Sequence, residues 1–517
     1  MRAPCDELVI RCGSSGAPSV AKSGPWILAA TILGSSMAFI DSTIVNVAAP
    51  KFQSAFHASI VDVQWVIESY GLFLSALILA GGALGDRLGR RLVFLLGVGI
   101  FAVASGCCGL APNIQVLVIA RSVQGIGAAL LVPGSLAIIS ASFDEKSRGP
   151  AIGTWSGFTA ITTALGPVLG GALIEYGSWR WAFFLNVPLA AAVIAISLRH
   201  VPESRSSSAM HLDWPGAVLA TASLGGVVTG FLESSQFGWR SSMVIASLFG
   251  GLICLVLFLW IESRVSSPMV SFALFRSRSF LGANLLTLLL YSAIGIFFFL
   301  FPVTLMQVFG YSATAAGAAT LPIIFLMFFL SRWSGGLVGR YGGRAPLIAG
   351  TVLVAVGFVL FAVRSSGGTY WTTFFPASLV LGLGFAVTVA PLTTVVMGSV
   401  DQDHAGEASG INNAVARLAG VLAIAMLGIV MVKAFSTHLD RNLVSLPLSP
   451  EAVQEIRSKE IELAGMELPK ELNANARTAL QTAVSGAFLS GFRLVLLFCA
   501  TLSIGSAVLA GALLPKK

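Results

Sequence analysis

The chain alternates long apolar runs with short polar turns. Fourteen runs reach about 20 residues, the length an α-helix needs to cross a bilayer. They fall at roughly 25–47, 62–84, 92–111, 114–139, 150–174, 180–199, 214–233, 242–262, 279–307, 313–335, 345–364, 370–397, 409–432 and 486–513. Each predicts a spanning helix, and an even number puts both termini on one side. The basic residues say which side. Of 31 Lys and Arg, seventeen fall in short loops on the terminal side and four in short loops opposite, which makes the terminal side cytoplasmic. Residues 1–24 read as a polar cytoplasmic tail, and the run after it is long enough to span rather than be cleaved as a signal. Residues 433–485 are the one sizeable polar loop, expected outside as a cap with short helices over 450–482.

Composition agrees with this pattern. Of 517 residues, 56% are hydrophobic and 10% charged, where a soluble protein carries about 25% charged residues. The mean hydropathy is +0.87. The net charge of +8 sits in short loops between spans, so it does not mark a nucleic-acid partner; the expected surroundings are the lipid bilayer. Cys5, Cys12, Cys107, Cys108, Cys254 and Cys499 lack metal-ligand spacing and read as small packing residues. His57, His200, His211, His404 and His438 lie in loops or near span ends. There is no Gly-x-x-x-x-Gly-Lys-Ser/Thr loop, no His-Glu-x-x-His and no Cys-x-x-Cys. The expectation is a protein that is not an enzyme and uses no ATP, haem or metal.

The most informative turn runs from Gly82 to Arg91. Asp86, Arg87, Arg90 and Arg91 crowd into it, and Gly82, Gly85 and Gly89 let two helix ends approach and turn. An acid followed by arginines can bond neighbouring helix ends, so the turn reads either as a conformational latch or as a positive-inside loop. It has an echo. Residues Gly335–Arg344 repeat its Gly, Leu, Arg, Gly and Arg at a constant offset of 253, with Gly339 in place of Asp86. Such duplication marks transporters built from two related bundles. The predicted organisation is an all-α membrane protein: a six-helix bundle over 25–199, a linker with two extra spans over 200–278, and a second six-helix bundle over 279–514 that includes the 433–485 loop.

Charges inside spans are costly and single out functional candidates. Asp41 lies deep in the first span, placed either to take up and release a proton or to bond Ser42, Thr43 or backbone. Glu68 lies in the second span beside Trp65, as a second titrating acid or an interfacial one. Arg121 in the fourth span stays protonated and needs a partner, which Asp41 or Glu68 would supply. The fifth span carries Gly153, Gly157, Gly166, Pro167, Gly170 and Gly171, with Pro167 expected to kink it and the glycines to allow tight contact. Arg332 can snorkel from the tenth span. Arg417, beside Asn412 and Asn413 in the thirteenth, is a candidate for lining a cavity. The many aromatics read mainly as packing or lipid-facing residues.

These motifs resemble a known family. Gly82–Arg91 is similar to the major facilitator superfamily's signature between helices 2 and 3. Arg121–Gly127 resembles the helix 4 signature of its drug/proton antiporters. Gly153 with Gly166-Pro167-x-x-Gly170-Gly171 resembles their helix 5 signature. Asp41-Ser42-Thr43-Ile44-Val45-Asn46-Val47-Ala48-x-Pro50 looks like the helix 1 signature of the fourteen-helix drug/proton antiporter branch. The resemblance covers residues 25–514. It departs at Thr162, where the helix 5 pattern has glycine, and in offering only Glu407 where some relatives carry further acids in helices 10 and 13. It implies the major facilitator fold in the cell membrane and proton-driven efflux of small lipophilic or cationic drugs or metabolites by alternating access. Asp41, Glu68 and Arg121 would couple protons, and the Gly82–Arg91 turn would latch the outward-facing state. A periplasmic adaptor is a partner some relatives use, and a monomer suffices for the mechanism. An importer, or a ligand sensor that does not transport, are the alternatives.

Overall fold

The structure is a computed structural model that describes residues 17–143, 145–205, 213–265, 272–364, 369–400, 405–444, 446, 448–466, 468 and 474–515. Among these residues it is helical, without strands. Fourteen rods follow in chain order. The first six are α1 (Ala17–Phe56), α2 (Ile60–Leu88), α3 (Arg90–Leu110), α4 (Ile114–Ser142), α5 (Glu145–Tyr176) and α6 (Trp181–Phe184 and Asn186–His200). Two more are α7 (Trp214–Phe237) and α8 (Ser242–Glu262). The last six are α9 (Arg278–Gln307), α10 (Ala313–Ala318, Leu321–Gly335 and Leu337–Tyr341), α11 (Arg344–Arg364), α12 (Tyr370–Thr373 and Phe375–Gly398), α13 (Ala405–Leu443) and α14 (Ala474–Leu513). Thirteen spans are long and apolar enough to cross a membrane among the described residues.

Several rods outrun the apolar runs that announce them. The polar tail expected over 1–24 gives way to helix at Ala17, and α1 continues through Pro25 and Pro50 to Phe56. The loop expected over 433–485 is helical at both ends, because α13 runs on to Leu443 and α14 begins at Ala474. Hydropathy marks where the membrane stops, not where the backbone leaves its hydrogen-bond ladder. What remains of that loop holds a short helix, Pro450–Ser458, capped by Ser449, and a 3₁₀ turn, Glu460–Gly465. Residues 1–16, with Arg2, Cys5, Arg11 and Cys12, lie outside the described residues, as do His211 and His404. So do the side chains of Arg332 and Glu407 and the surroundings of Gly153 and Gly157.

Packing repeats along the chain as the turn does. In the first bundle α2 and α3 pack on α4, α1 packs on α5 and α6, and α3 meets α6. Moving eight rods on gives the second bundle: α10 and α11 on α12, α9 on α13 and α14, and α11 on α14. The contacts between bundles obey the same exchange. The α2–α13 contact maps onto α10–α5, and α1–α9 maps onto itself. Gly89 and Gly342 hold matching places in the two turns, with φ of 125° and 74°, values that favour glycine.

The two extra helices form a hairpin. A Cβ on Gly226 of α7 would stand 2.8 Å from the Cα of Gly251 in α8, so small residues set that contact. Helix α7 lies over the seam of α2 and α13, where Glu233 accepts a hydrogen bond from Trp65 Nε1 at 2.8 Å. The second bundle is bound by phenylalanines. Phe297 and Phe301 of α9 stack with centroids 5.1 Å apart, and Phe361 of α11 meets both edge-on.

Candidate functional site

The polar centre of the first bundle is built around Asp41. The hydroxyls next to it turn back onto their own helix: Ser42 donates to Phe39 O at 2.8 Å and Thr43 to Ile40 O at 2.9 Å. The Asp41 carboxylate is thereby left to other helices. Arg121 of α4 donates to it from one guanidinium nitrogen, and the same nitrogen reaches Gln124 Oε1 at 2.8 Å. Gln124 Nε2 donates to Asp41 Oδ1 at 2.9 Å, and Asn186 Nδ2 of α6 donates to the same oxygen at 3.2 Å. Both amides also donate to Ser105 Oγ of α3, at 3.3 and 3.0 Å, and Ser105 donates to Phe183 O at 2.8 Å. Arg121 Nε closes the set on Val66 O of α2 at 3.1 Å.

Asp41 and Arg121 are each 1% exposed. A buried ion pair alone seldom offsets its desolvation, but one whose remaining lone pairs and protons are bonded can persist. The Tyr70 ring of α2 lies 4.2 Å from the guanidinium carbon, a cation–π contact, and its hydroxyl donates to Ala38 O at 3.3 Å. Of the two partners open to Arg121, the structure supplies Asp41 and not Glu68. The alternative reading of Asp41 as bonded to Ser42 or Thr43 is corrected, because those hydroxyls are spent on α1. Sequence reasoning passed over Ser105, Gln124, Asn186 and Tyr70. Gln124 carried a usable signal: it stands three residues after Arg121, on the same helix face.

Glu68 is 1% exposed, so it is a buried group rather than an interfacial one. Among the described residues neither of its carboxyl oxygens has a hydrogen-bond partner. It shares a face of α2 with Gln64 and Gly71. Gln64 packs on Gly428 and Gly71 on Val421, both of α13, so Glu68 lies in the seam between the bundles.

The Gly82–Arg91 turn bonds within itself and to the start of the linker that follows α6. Asp86 pairs with Arg90 at 2.8 Å. Arg91 donates to Val201 O at 3.1 Å, and Arg90 N donates to Ser204 O at 2.9 Å. Glu203 accepts from the backbone nitrogens of Arg91 and Leu92, both at 3.1 Å, and so caps α3. It was not singled out from the sequence, where it reads as an ordinary linker acid. Arg87 lies in the last turn of α2. Among the described residues a Cβ on Gly82 would near Pro133, and one on Gly85, though that residue is buried, would meet no atom within 4 Å.

Helix α5 runs unbroken through Pro167. Gly166 and Gly170 receive Thr43 and Ile44 of α1, while Gly171 faces Ala313 O of α10, 2.5 Å from where its Cβ would be. Hydrogen bonds join the bundles at this end, away from the basic loops. Thr314 N donates to Glu175 at 3.2 Å, and Gln307 donates to Gln53 Oε1 at 2.8 Å. Gln53 in turn donates to Glu462 O of the loop cap at 2.6 Å.

The three α13 candidates part company. Asn412 turns inward, donating to Thr287 at 2.7 Å and Asn284 at 3.2 Å, and serves packing within the second bundle. Asn413 is exposed. Arg417 is partly exposed, with its guanidinium carbon 5.9 Å from the Phe39 ring of α1.

Comparison with known proteins places this geometry. The sequence model described as Major Facilitator Superfamily matches residues 31–216 and 191–424. The multidrug resistance protein Stp of Mycobacterium tuberculosis (strain ATCC 25618 / H37Rv) is 36% identical over 422 residues, 80% of this chain and 77% of that protein. The tetracenomycin C resistance and export protein of Streptomyces glaucescens is 33% identical over 79% of this chain and 76% of its own. The methylenomycin A resistance protein of Bacillus subtilis (strain 168) is 30% identical over 80% and 89%. Among solved structures, a bacterial homolog of the human lysosomal transporter Spinster, inward-facing and unoccupied, superposes with a TM-score of 0.63 at 18% identity, covering 97% of this chain and all of that one.

Proposed function

The chain belongs to the major facilitator superfamily, and on that premise we propose that it exports small lipophilic molecules across the cell membrane in exchange for protons, by alternating access. It is an integral membrane transporter and not an enzyme. The named relatives are resistance and export proteins, which supports the outward direction.

The observation that carries proton coupling is the Asp41–Arg121 pair, a buried carboxylate bonded by groups of α4 and α6 that are themselves bonded to α2 and α3. Protonating Asp41 removes the charge that orients Arg121, Gln124 and Asn186, so one proton bears on the packing of five helices. Glu68, unbonded in the α2–α13 seam, is a second proton site, since a proton there removes the cost of an unpaired charge. Each charge moved through 100 mV supplies about 2.3 kcal/mol, enough to bias a rocking of one bundle against the other. No cofactor enters; the proton gradient drives the cycle. The Gly82–Arg91 turn, bonded here to itself and to the linker after α6, exchanges those bonds for helix ends of the second bundle when the opposite end opens. One chain holds both bundles and the seam, so a monomer suffices, and a periplasmic adaptor would meet the cap at 448–466.

The test is efflux of fluorescent lipophilic dyes from cells lacking their own pumps. Efflux that stops with a protonophore and with Asp41→Asn is the expected result. Efflux that survives both, in a well-expressed protein, would remove Asp41 and the proton gradient from the mechanism.

A further inference from the structure

One guanidinium reaches the seam without a counter-ion. Helix α13 turns a single face to the first bundle: Gly410 meets Leu79, Ala414 packs with the core around Tyr70 and Ile78, Val421 meets Gly71 and Gly428 meets Gln64. That spacing puts Arg417 in the middle of the same face. Phe39 of α1 lies 5.9 Å from its guanidinium carbon, and the ionisable groups that face it are two phenols, Tyr70 of α2 and Tyr291 of α9. Among the described residues Arg417 has no ion pair and no hydrogen bond.

The nearby acids do not answer it. Asp41 is bound by Arg121, Gln124 and Asn186. Glu68 faces α13 between Val421 and Gly428, about two helical turns from Arg417 along the seam, with both oxygens unbonded. Arginine keeps its proton, and a charge at this depth is retained where it meets water or an anion. Phe39, Arg417 and Tyr291 are all partly exposed rather than sealed in the core.

We propose that Arg417 receives the acidic group of the exported molecule, a carboxylate or phenolate on a flat apolar skeleton. This rests on the export reading and adds the substrate's charge. The guanidinium offers two parallel N–H donors to such a group, and the partly exposed rings of Phe39 and Tyr291 take the skeleton. Acids in the apolar spans suggest a lipophilic cation on sequence alone. With Asp41 neutralised by Arg121 and Glu68 neutral while it holds its proton, the charge left open on the seam is positive.

The experiment compares two dyes on one ring system, fluorescein, an acid, and tetramethylrhodamine ethyl ester, a cation. Their binding to the detergent-purified full chain is read by fluorescence anisotropy. The unmutated protein is expected to bind fluorescein more tightly than the ester. Arg417→Gln should weaken fluorescein roughly tenfold or more, as for one lost charge-assisted contact, without weakening the ester. Arg417→Lys should keep the preference at lower affinity. Overturning results are a folded Arg417→Gln protein that binds fluorescein as before, or an unmutated protein that prefers the ester. If Arg417→Gln does not fold, the unmutated protein's own preference decides. Fluorescein bound but not expelled from proteoliposomes under a proton gradient would count against export and leave this site in place. Dyes expelled without regard to charge would do the reverse.

Discussion

The Cα of Gly317 in α10 faces the carbonyl oxygen of Pro167 in α5 so closely that a Cβ would stand 2.1 Å from that oxygen. Backbone meets backbone here across the two bundles, and no side chain can bend away to make room. Gly317→Val should therefore pry α10 from α5. The expected result is a loss of dye flux, with overpacking costing about 1–3 kcal/mol. A cysteine at Thr314, in a background without the exposed Cys107, should then react faster with a membrane-impermeant thiol reagent. Unchanged flux and labelling would mean that this contact does not govern closure.

Two glycines of one turn should answer alanine in opposite ways. Gly85 lies in the last turns of α2 with nothing within 4 Å of its added Cβ, so Gly85→Ala is expected to be neutral or to stabilise by about 0.5–1 kcal/mol. Gly89 holds φ at 125°, and its Cβ would stand 2.7 Å from the Glu203 carboxylate that caps α3. Gly89→Ala should lower the melting temperature and reduce flux. Equal behaviour of the two variants would show that the turn is read by glycine content and not by backbone geometry.

The Asp41–Arg121 pair predicts a non-additive pair of losses. Breaking a buried pair from one side leaves an uncompensated charge and costs roughly 3–5 kcal/mol. Arg121→Gln should show this most plainly, because Asp41 then keeps only amide donors. The double variant Asp41→Asn with Arg121→Gln should melt above the value expected from adding the two single losses, since it buries no charge at this site. Additive shifts in melting temperature would argue that the two groups stabilise the fold independently.

How much of this could be read without the structure depends on residue type. Asp41, Glu68 and Arg121 stand out because charge is rare in an apolar run. The repeat of Gly89 at Gly342 stands out because a turn preserves its glycine. Ser105 and Asn186 do not stand out, since small polar residues recur throughout the spans. Only the approach of α6 to α1 and of α3 to α6 selects these two. Glu203 is hidden for the same reason, as its role depends on a linker folding back onto α3. Asn186, which meets Asp41, falls inside an apolar run and leaves no mark on hydropathy.

The seam at Glu175 predicts a dependence on external pH. Hydrogen bonds from Thr314 and Ser312 hold the Glu175 carboxyl below its ordinary value of 4.5, with burial opposing slightly and Lys51 adding a small further lowering. A carboxyl whose value is depressed in one state favours that state when ionised, so the closed seam gains from Glu175 above the ordinary value. That gain disappears as pH falls through the depressed one. Spin labels on Tyr176→Cys and Tyr311→Cys would read the separation of the two helix ends. Acidifying from about pH 7 to below about pH 4 should populate a longer distance, and Glu175→Gln should show that population already at neutral pH. A distance distribution that ignores both changes would leave Glu175 as an exposed acid with no part in holding the bundles together.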